Sequence, residues 1–172
     1  MTVQVNYINK PKQRDAEVIA LFADDKFEIK NLSAFFSKNE SNSFIKILKN
    51  KKNTKENIIS FNINDKSTVI LISIKKNLKG SDVENLGAKF YDKFKNLKQR
   101  EFVFNSDTIP NKSKKLIGYF LHGLKLKSYI FDKYKTKKNK NNLSIYIYGN
   151  NKPSLKDQIK FNAIEEGAFY TR

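Results

Sequence analysis

The run Val18-Ile19-Ala20-Leu21-Phe22-Ala23 is apolar from end to end. Six residues are too few for a stable helix, and the run offers no polar face to water. It is consistent with a strand buried inside a sheet. The rest of the chain must therefore supply neighbours for it and layers to cover it.

Those neighbours are legible. Residues 3–8 alternate, with Val3, Val5 and Tyr7 against Gln4 and Asn6, and predict a strand that Pro11 ends. Ile58–Ile63 and Thr68–Ile74 are two more strands, and Asn64-Asp65-Lys66 between them suggests a hairpin. Glu101–Phe104 and Leu143–Tyr148 complete the set; in the second, Ile145 and Ile147 alternate with Tyr146 and Tyr148.

Helical stripes lie between the strands. Leu32–Phe36 and Phe44–Leu48 are apolar clusters split by the polar stretch Ser37–Ser43, giving one broken helix or two short ones. Lys49–Glu56 is expected as a loop. Ser81-Asp82-Val83-Glu84 has capping-box spacing, and Val83, Leu86, Phe90, Phe94 and Leu97 follow on one stripe. After Pro110 a long helix carries Leu116, Ile117, Phe120, Leu121, Leu124 and Phe131 on one face, with Lys127 intruding. Ser154, with Asp157 three residues on, opens a last helix. The order ββαββαβαβα predicts an α/β fold whose sheet is mixed because of the hairpin.

That last helix has two apolar sides. At 100° per residue, Leu155, Ile159, Ala163 and Tyr170 fall together, and Phe161, Ile164 and Ala168 lie about 170° away. A helix with its back to water needs only one such side. The expectation is that the Leu155 side packs on this domain's own sheet. Phe161, Ile164 and Ala168 are then the contact to another domain or subunit.

The chain has 172 residues, 34 basic and 17 acidic, for a net charge of +17. Length predicts one domain. The charge invites a nucleic-acid partner. However, only Arg14, Arg100 and Arg172 are arginines. Readers of phosphate and base edges lean on the planar arginine fork. Lysine, asparagine and isoleucine are abundant throughout, as an AT-rich genome would dictate. The densest basic stretch is Lys125–Lys140, where Tyr129, Phe131 and Tyr134 are interleaved. It could track a nucleic-acid backbone, or be a helix end running into a solvated loop. The second reading is preferred, and nucleic-acid binding stays as the alternative. No apolar run approaches a membrane span and no signal-peptide pattern opens the chain, so a cytoplasmic protein that uses no membrane is expected.

Chemistry is sparse. Cysteine is absent, which removes disulfides and thiolates. His122 is the single histidine, with no Asp, Glu or Cys at helical neighbour spacing, and is expected as a solvated surface residue. Asp24-Asp25 and Glu165-Glu166 are adjacent pairs, and neighbours on a helix point about 100° apart, so surface or capping roles are expected. None of the six glycines forms a phosphate-binding pattern. These residues supply no catalytic, cofactor-binding or metal-binding set.

The stretch 118–138 carries Gly118, Leu124, Ser128-Tyr129-Ile130-Phe131-Asp132-Lys133-Tyr134-Lys135-Thr136-Lys137-Lys138. It resembles the end of the N-terminal domain in the leucyl (cytosol) aminopeptidases, hexameric two-metal exopeptidases. Asn162–Arg172, with Gly167 and Arg172, is similar to that family's connecting helix. The order of elements fits over nearly the whole chain. Glycines usual in the family's loops are replaced by Asn50-Lys51-Lys52-Asn53 and Lys75-Lys76-Asn77.

The resemblance implies a three-layer α/β/α fold with a mostly parallel sheet, similar to macro domains. It implies residues 1–152 as an N-terminal domain and 153–172 as a helix leading toward a catalytic domain. The family's metal ligands, catalytic lysine and arginine lie beyond the matched stretch, so no residue here inherits a catalytic role. The implied role is architectural, toward the catalytic domain and neighbouring subunits. Two divalent ions, zinc or manganese, and peptide substrates would belong to that other domain.

Overall fold

A computed structural model describes residues 3–9, 17–29, 36–51, 56–64, 67–110, 114–129 and 143–170. Six strands form one sheet: β1 (Val3–Tyr7), β2 (Val18–Ala23), β3 (Ile58–Asn62), β4 (Thr68–Ser73), β5 (Glu101–Asn105) and β6 (Leu143–Tyr148). Their spatial order is β1-β6-β5-β2-β4-β3. Among the described residues only the β3–β4 hairpin is antiparallel; the other four pairs are parallel. The sheet is mixed, as the sequence pattern predicts, and mostly parallel, as the resemblance implies.

The apolar run of β2 lies between β4 and β5, and all six of its residues are buried. Its odd and even side chains enter different cores. Val18, Ala20 and Phe22 face one layer; Ile19, Leu21 and Ala23 face the other. Four helices make those layers: α1 (Lys38–Lys51), α2 (Gly80–Phe94), α3 (Lys114–Ser128) and α4 (Leu155–Tyr170). Phe44 of α1 sits in the smaller core with Phe36, Leu21 and Leu71. Helices α2 and α3 cover the larger core on the other face.

The larger core is an aromatic knot. Phe90 of α2 lies 5.1 Å from Phe104 of β5 and 5.6 Å from Phe120 of α3, centroid to centroid. Phe22 of β2 meets Phe120 edge-on at 5.6 Å. Glycine lets α2 and α3 approach so closely. A Cβ at Gly87 would strike the Phe120 carbonyl, and one at Gly123 would strike the Glu84 carbonyl.

Several element boundaries differ from the sequence reading, most of all in two helices. Helix α1 includes most of the polar stretch Ser37–Ser43 and runs on to Lys51, into the expected loop. A capping box explains its start: Glu40 N–H donates to Ser37 Oγ (3.3 Å), and Ser37 N–H donates to Glu40 Oε2 (2.9 Å). That bonding holds the Glu40 carboxyl below its usual range, chiefly through the Ser37 backbone. Helix α2 starts at Gly80 rather than after Ser81, because Asp82, not Glu84, reaches back to the Lys79 N–H at 3.0 Å. It ends at Phe94, leaving Leu97 packed against the core from outside the helix. Helix α4 opens as expected, with Asp157 N–H donating to Ser154 Oγ at 3.2 Å. Residues 30–35 and 130–142 lie outside the described residues, and with them Leu32, Phe131, Tyr134 and most of the basic stretch.

Candidate interface and ion cluster on the last helix

Helix α4 packs on α3 with the side opposite to the one expected. Phe161 lies over Gly118, edge-on to Tyr119 at 5.3 Å and tilted against His122 at 5.3 Å. Phe169 stacks on Tyr129 at 4.3 Å, and the Tyr129 hydroxyl donates to the Phe169 carbonyl at 3.0 Å. Phe161 thus packs on α3. Ala168 is half-buried, and Ile164 remains 46% exposed.

The Leu155 side, expected on the sheet, faces outward. Leu155 is 73% exposed, Ile159 61% and Tyr170 90%. The reason is chemical rather than apolar. Glu165 sits on the Phe161 side and, among the described residues, pairs with His122 and Lys125 of α3, which favours this rotation of the helix.

Glu165 is 4% exposed and His122 5%. The expected surface histidine and surface carboxylate are thus a buried pair. The Nδ1 of His122 lies 3.1 Å from Glu165 Oε1, and Lys125 Nζ donates to Glu165 Oε2 at 2.8 Å. Lys125 also donates to Asn162 Oδ1 at 3.1 Å. Burying a charge is costly unless it is paired and hydrogen-bonded, and Glu165 is both. His122 and Lys125 are one helical turn apart, a spacing that presents both to one carboxylate. Glu166, its neighbour in sequence, is exposed.

A cavity of about 200 Å³ opens beside this cluster, where α4 meets the edge strand β1. Val5, Tyr7, Leu121 and Phe161 line it together with Lys125, Asn162 and Glu165. Burial, and then the Glu165 charge, push the Tyr7 phenol up to about 12, so it stays a neutral O–H donor.

Other candidate groups are structural. Asp24 Oδ1 accepts from the N–H groups of Lys26 (3.0 Å) and Glu28 (2.8 Å), closing a turn; Asp25 is exposed. Lys127 pairs with Asp92 of α2 at 3.1 Å, and Lys95 pairs with the same carboxylate at 3.0 Å. Those two lysines hold Asp92 below its usual range. Among the described residues no three His, Cys, Asp or Glu side chains are grouped to hold a metal ion. His122 and Glu165 make a base-and-orienter pair, but no hydroxyl is hydrogen-bonded to His122 among the described residues. No described helix is long and apolar enough to cross a membrane.

No family model matches the sequence, and no curated protein does. Solved structures do match. A tomato leucine aminopeptidase mutant aligns with a TM-score of 0.62 at 12% identity, over 97% of this chain and 36% of that one. The fold is that of a leucine aminopeptidase domain. It is consistent with the N-terminal domain named by the sequence resemblance. The bottromycin maturation enzyme BotP, in complex with manganese, aligns at TM-score 0.54 and 11% identity, over 88% of this chain and 30% of BotP. The macrodomain of Thermus aquaticus DarG aligns at TM-score 0.56 and 9% identity, over 86% of this chain and 99% of that one. The chain thus spans about a third of the leucine aminopeptidase and BotP chains, and nearly all of a macrodomain. At these identities the likeness is one of fold.

Proposed function

We propose that this chain is an architectural, non-catalytic domain of a leucyl aminopeptidase. Its parent activity is metal-dependent removal of N-terminal residues from peptides, carried out by two divalent ions in another domain. One observation supports the reading most. Among the described residues five large hydrophobics are exposed, four of them on α4, and Leu155, Ile159 and Tyr170 form one stripe of it. Such a stripe on an otherwise well-packed domain marks a surface meant to be covered. Its occupant in this reading is the catalytic domain or a neighbouring subunit. Both the fold and the share of the tomato enzyme that the chain spans agree with that.

Sedimentation velocity on the 172-residue chain tests the reading. With no catalytic domain to cover it, the stripe should drive weak, reversible self-association. Leu155→Gln with Ile159→Gln should abolish it. A wild-type chain that stays monomeric at high concentration would overturn the docking role. Hydrolysis of a leucyl anilide by the chain alone, abolished by a chelator, would overturn the non-catalytic one. The alternative, lysine-rich binding to nucleic acid, predicts sequence-blind affinity that is lost by roughly 200 mM salt, since lysine contacts gain mainly through counterion release.

A further inference from the structure

Strand β1 is an edge of the sheet, hydrogen-bonded to β6 alone among the described residues. Its outward-facing groups can be named. The N–H of Ile8 donates to the Ile147 carbonyl at 2.9 Å, so the backbone of Ile8 faces β6. Backbone direction alternates along a strand, so Gln4 and Asn6 also face β6. The N–H and C=O groups of Val5 and Tyr7 therefore point away from the sheet, the arrangement that accepts an added strand.

The side chains of the same two residues line the cavity beneath α4. Backbone edge and side-chain pocket thus coincide at Val5 and Tyr7. Natural edge strands are commonly blunted by charge or proline. Here Val3–Tyr7 is Val-Gln-Val-Asn-Tyr, without either.

We infer that β1 is a strand-addition site for an extended peptide segment, which pairs antiparallel with Val5 and Tyr7 and lowers one side chain into the cavity beneath α4. Main-chain bonds supply affinity in this mode, and the pocket under alternate side chains supplies selectivity. The residue paired with Val5 sends its side chain to the Val5 side of the sheet, toward the cavity. Val5, Leu121 and Phe161 offer that side chain an apolar wall. The Tyr7 hydroxyl has no hydrogen-bond partner among the described residues, and Glu165 is already taken by His122 and Lys125. The pocket, which Lys125, Gln158 and Asn162 also line, therefore presents donors beside an apolar wall. The side chain that fits has an apolar stem and a neutral acceptor at its end, as glutamine has. Cavity size agrees, since about 200 Å³ holds one such side chain and not a drug-sized ligand.

The test is an amide NMR titration of the whole chain with the blocked heptapeptide acetyl-Thr-Val-Thr-Gln-Thr-Val-Thr-amide. The Val5 and Tyr7 amide resonances should move saturably at millimolar peptide or below. Alanine at the central position should weaken binding about tenfold, and so should Tyr7→Phe, each losing the acceptor–donor contact. N-methylation of the central residue should abolish binding, because its N–H faces β1; N-methylation of the adjacent threonine should not. Val5→Pro removes an outward N–H without touching the ladder to β6, and should also abolish binding. If that variant fails to fold, the N-methyl pair still decides. The inference is overturned if no peptide moves the β1 amides, if both N-methyl peptides bind alike, or if a second copy of the chain pairs along β1 instead.

Discussion

Helix α3 has a neighbour on each side, and the two contacts are built differently. Toward α2 it is notched by glycine and lined with phenylalanine, and Phe90 and Phe120 are wholly buried. Toward α4 it offers His122 and Lys125 to one buried carboxylate, with two rings beside them. The first contact gains its stability from apolar area and tight packing. The second gains position: a buried carboxylate is costly anywhere except against its partners, so it fixes how the helix is rotated. The Leu155 side of α4 is left outside the core.

The largest expected effect lies on the α2 side. Phe90→Ala should cost about 3–5 kcal/mol, the usual range for an aromatic truncated in a packed core. Thermal melts should show a fall on the order of 10 °C, and amide exchange should rise throughout the sheet. A change confined to α2 would mean that the knot is not the centre of one cooperative unit.

Glu165→Gln should act next, and locally. It removes the charge that Lys125 and His122 serve, for about 1–3 kcal/mol. Lys125, one-fifth exposed, can turn to water, which favours the lower half of that range. Hydrogen exchange should accelerate along Leu155–Tyr170 while α2 keeps its protection. Unchanged exchange in α4 would show that Phe161 and Phe169 hold the helix alone.

Alkaline pH probes the same side more gently. The Tyr7 hydroxyl titrates near 12 in the fold against 10.0 when unperturbed. A pKa raised by folding means that its stabilisation is complete below pH 10 and is lost as pH rises toward 12. The loss should stay below about 2 kcal/mol, because the group is partly open to water. In urea melts across that window, wild type should lose stability relative to Tyr7→Phe as pH rises. Parallel curves would mean that the phenol feels neither burial nor Glu165.

The smallest effect on stability belongs to the outward stripe. Leu155→Gln with Ile159→Gln should shift the urea midpoint by less than about 0.5 kcal/mol equivalent, as exposed substitutions do. Phe161→Ala, on the same helix, should cost several times more. Equal costs would mean that α4 has no free side, and would remove the contrast with α2.

Much of the fold is legible because periodicity is a local property. The run Val18–Ala23, the alternation of Leu143–Tyr148 and the hairpin at residues 58–73 announce their strands, and pairing obeys them. The stripe through Val83, Leu86, Phe90 and Phe94 announces the buried face of α2. The start of α1 is legible too, because Ser37 and Glu40 stand at capping-box spacing.

Helix α4 marks the boundary of that legibility. The sequence by itself determined that residues after Ser154 are helical and that the helix carries apolar groups on two sides, because both follow from spacing along one chain segment. It did not determine which side turns inward. That was decided by a carboxylate and its partners 43 and 40 residues away, His122 and Lys125, brought together only when α3 and α4 pack. Apolar burial gains similar free energy on either side of a helix with two apolar sides. A buried charge has one place where its partners stand, and so the long-range polar contact chose the orientation that hydrophobicity left open.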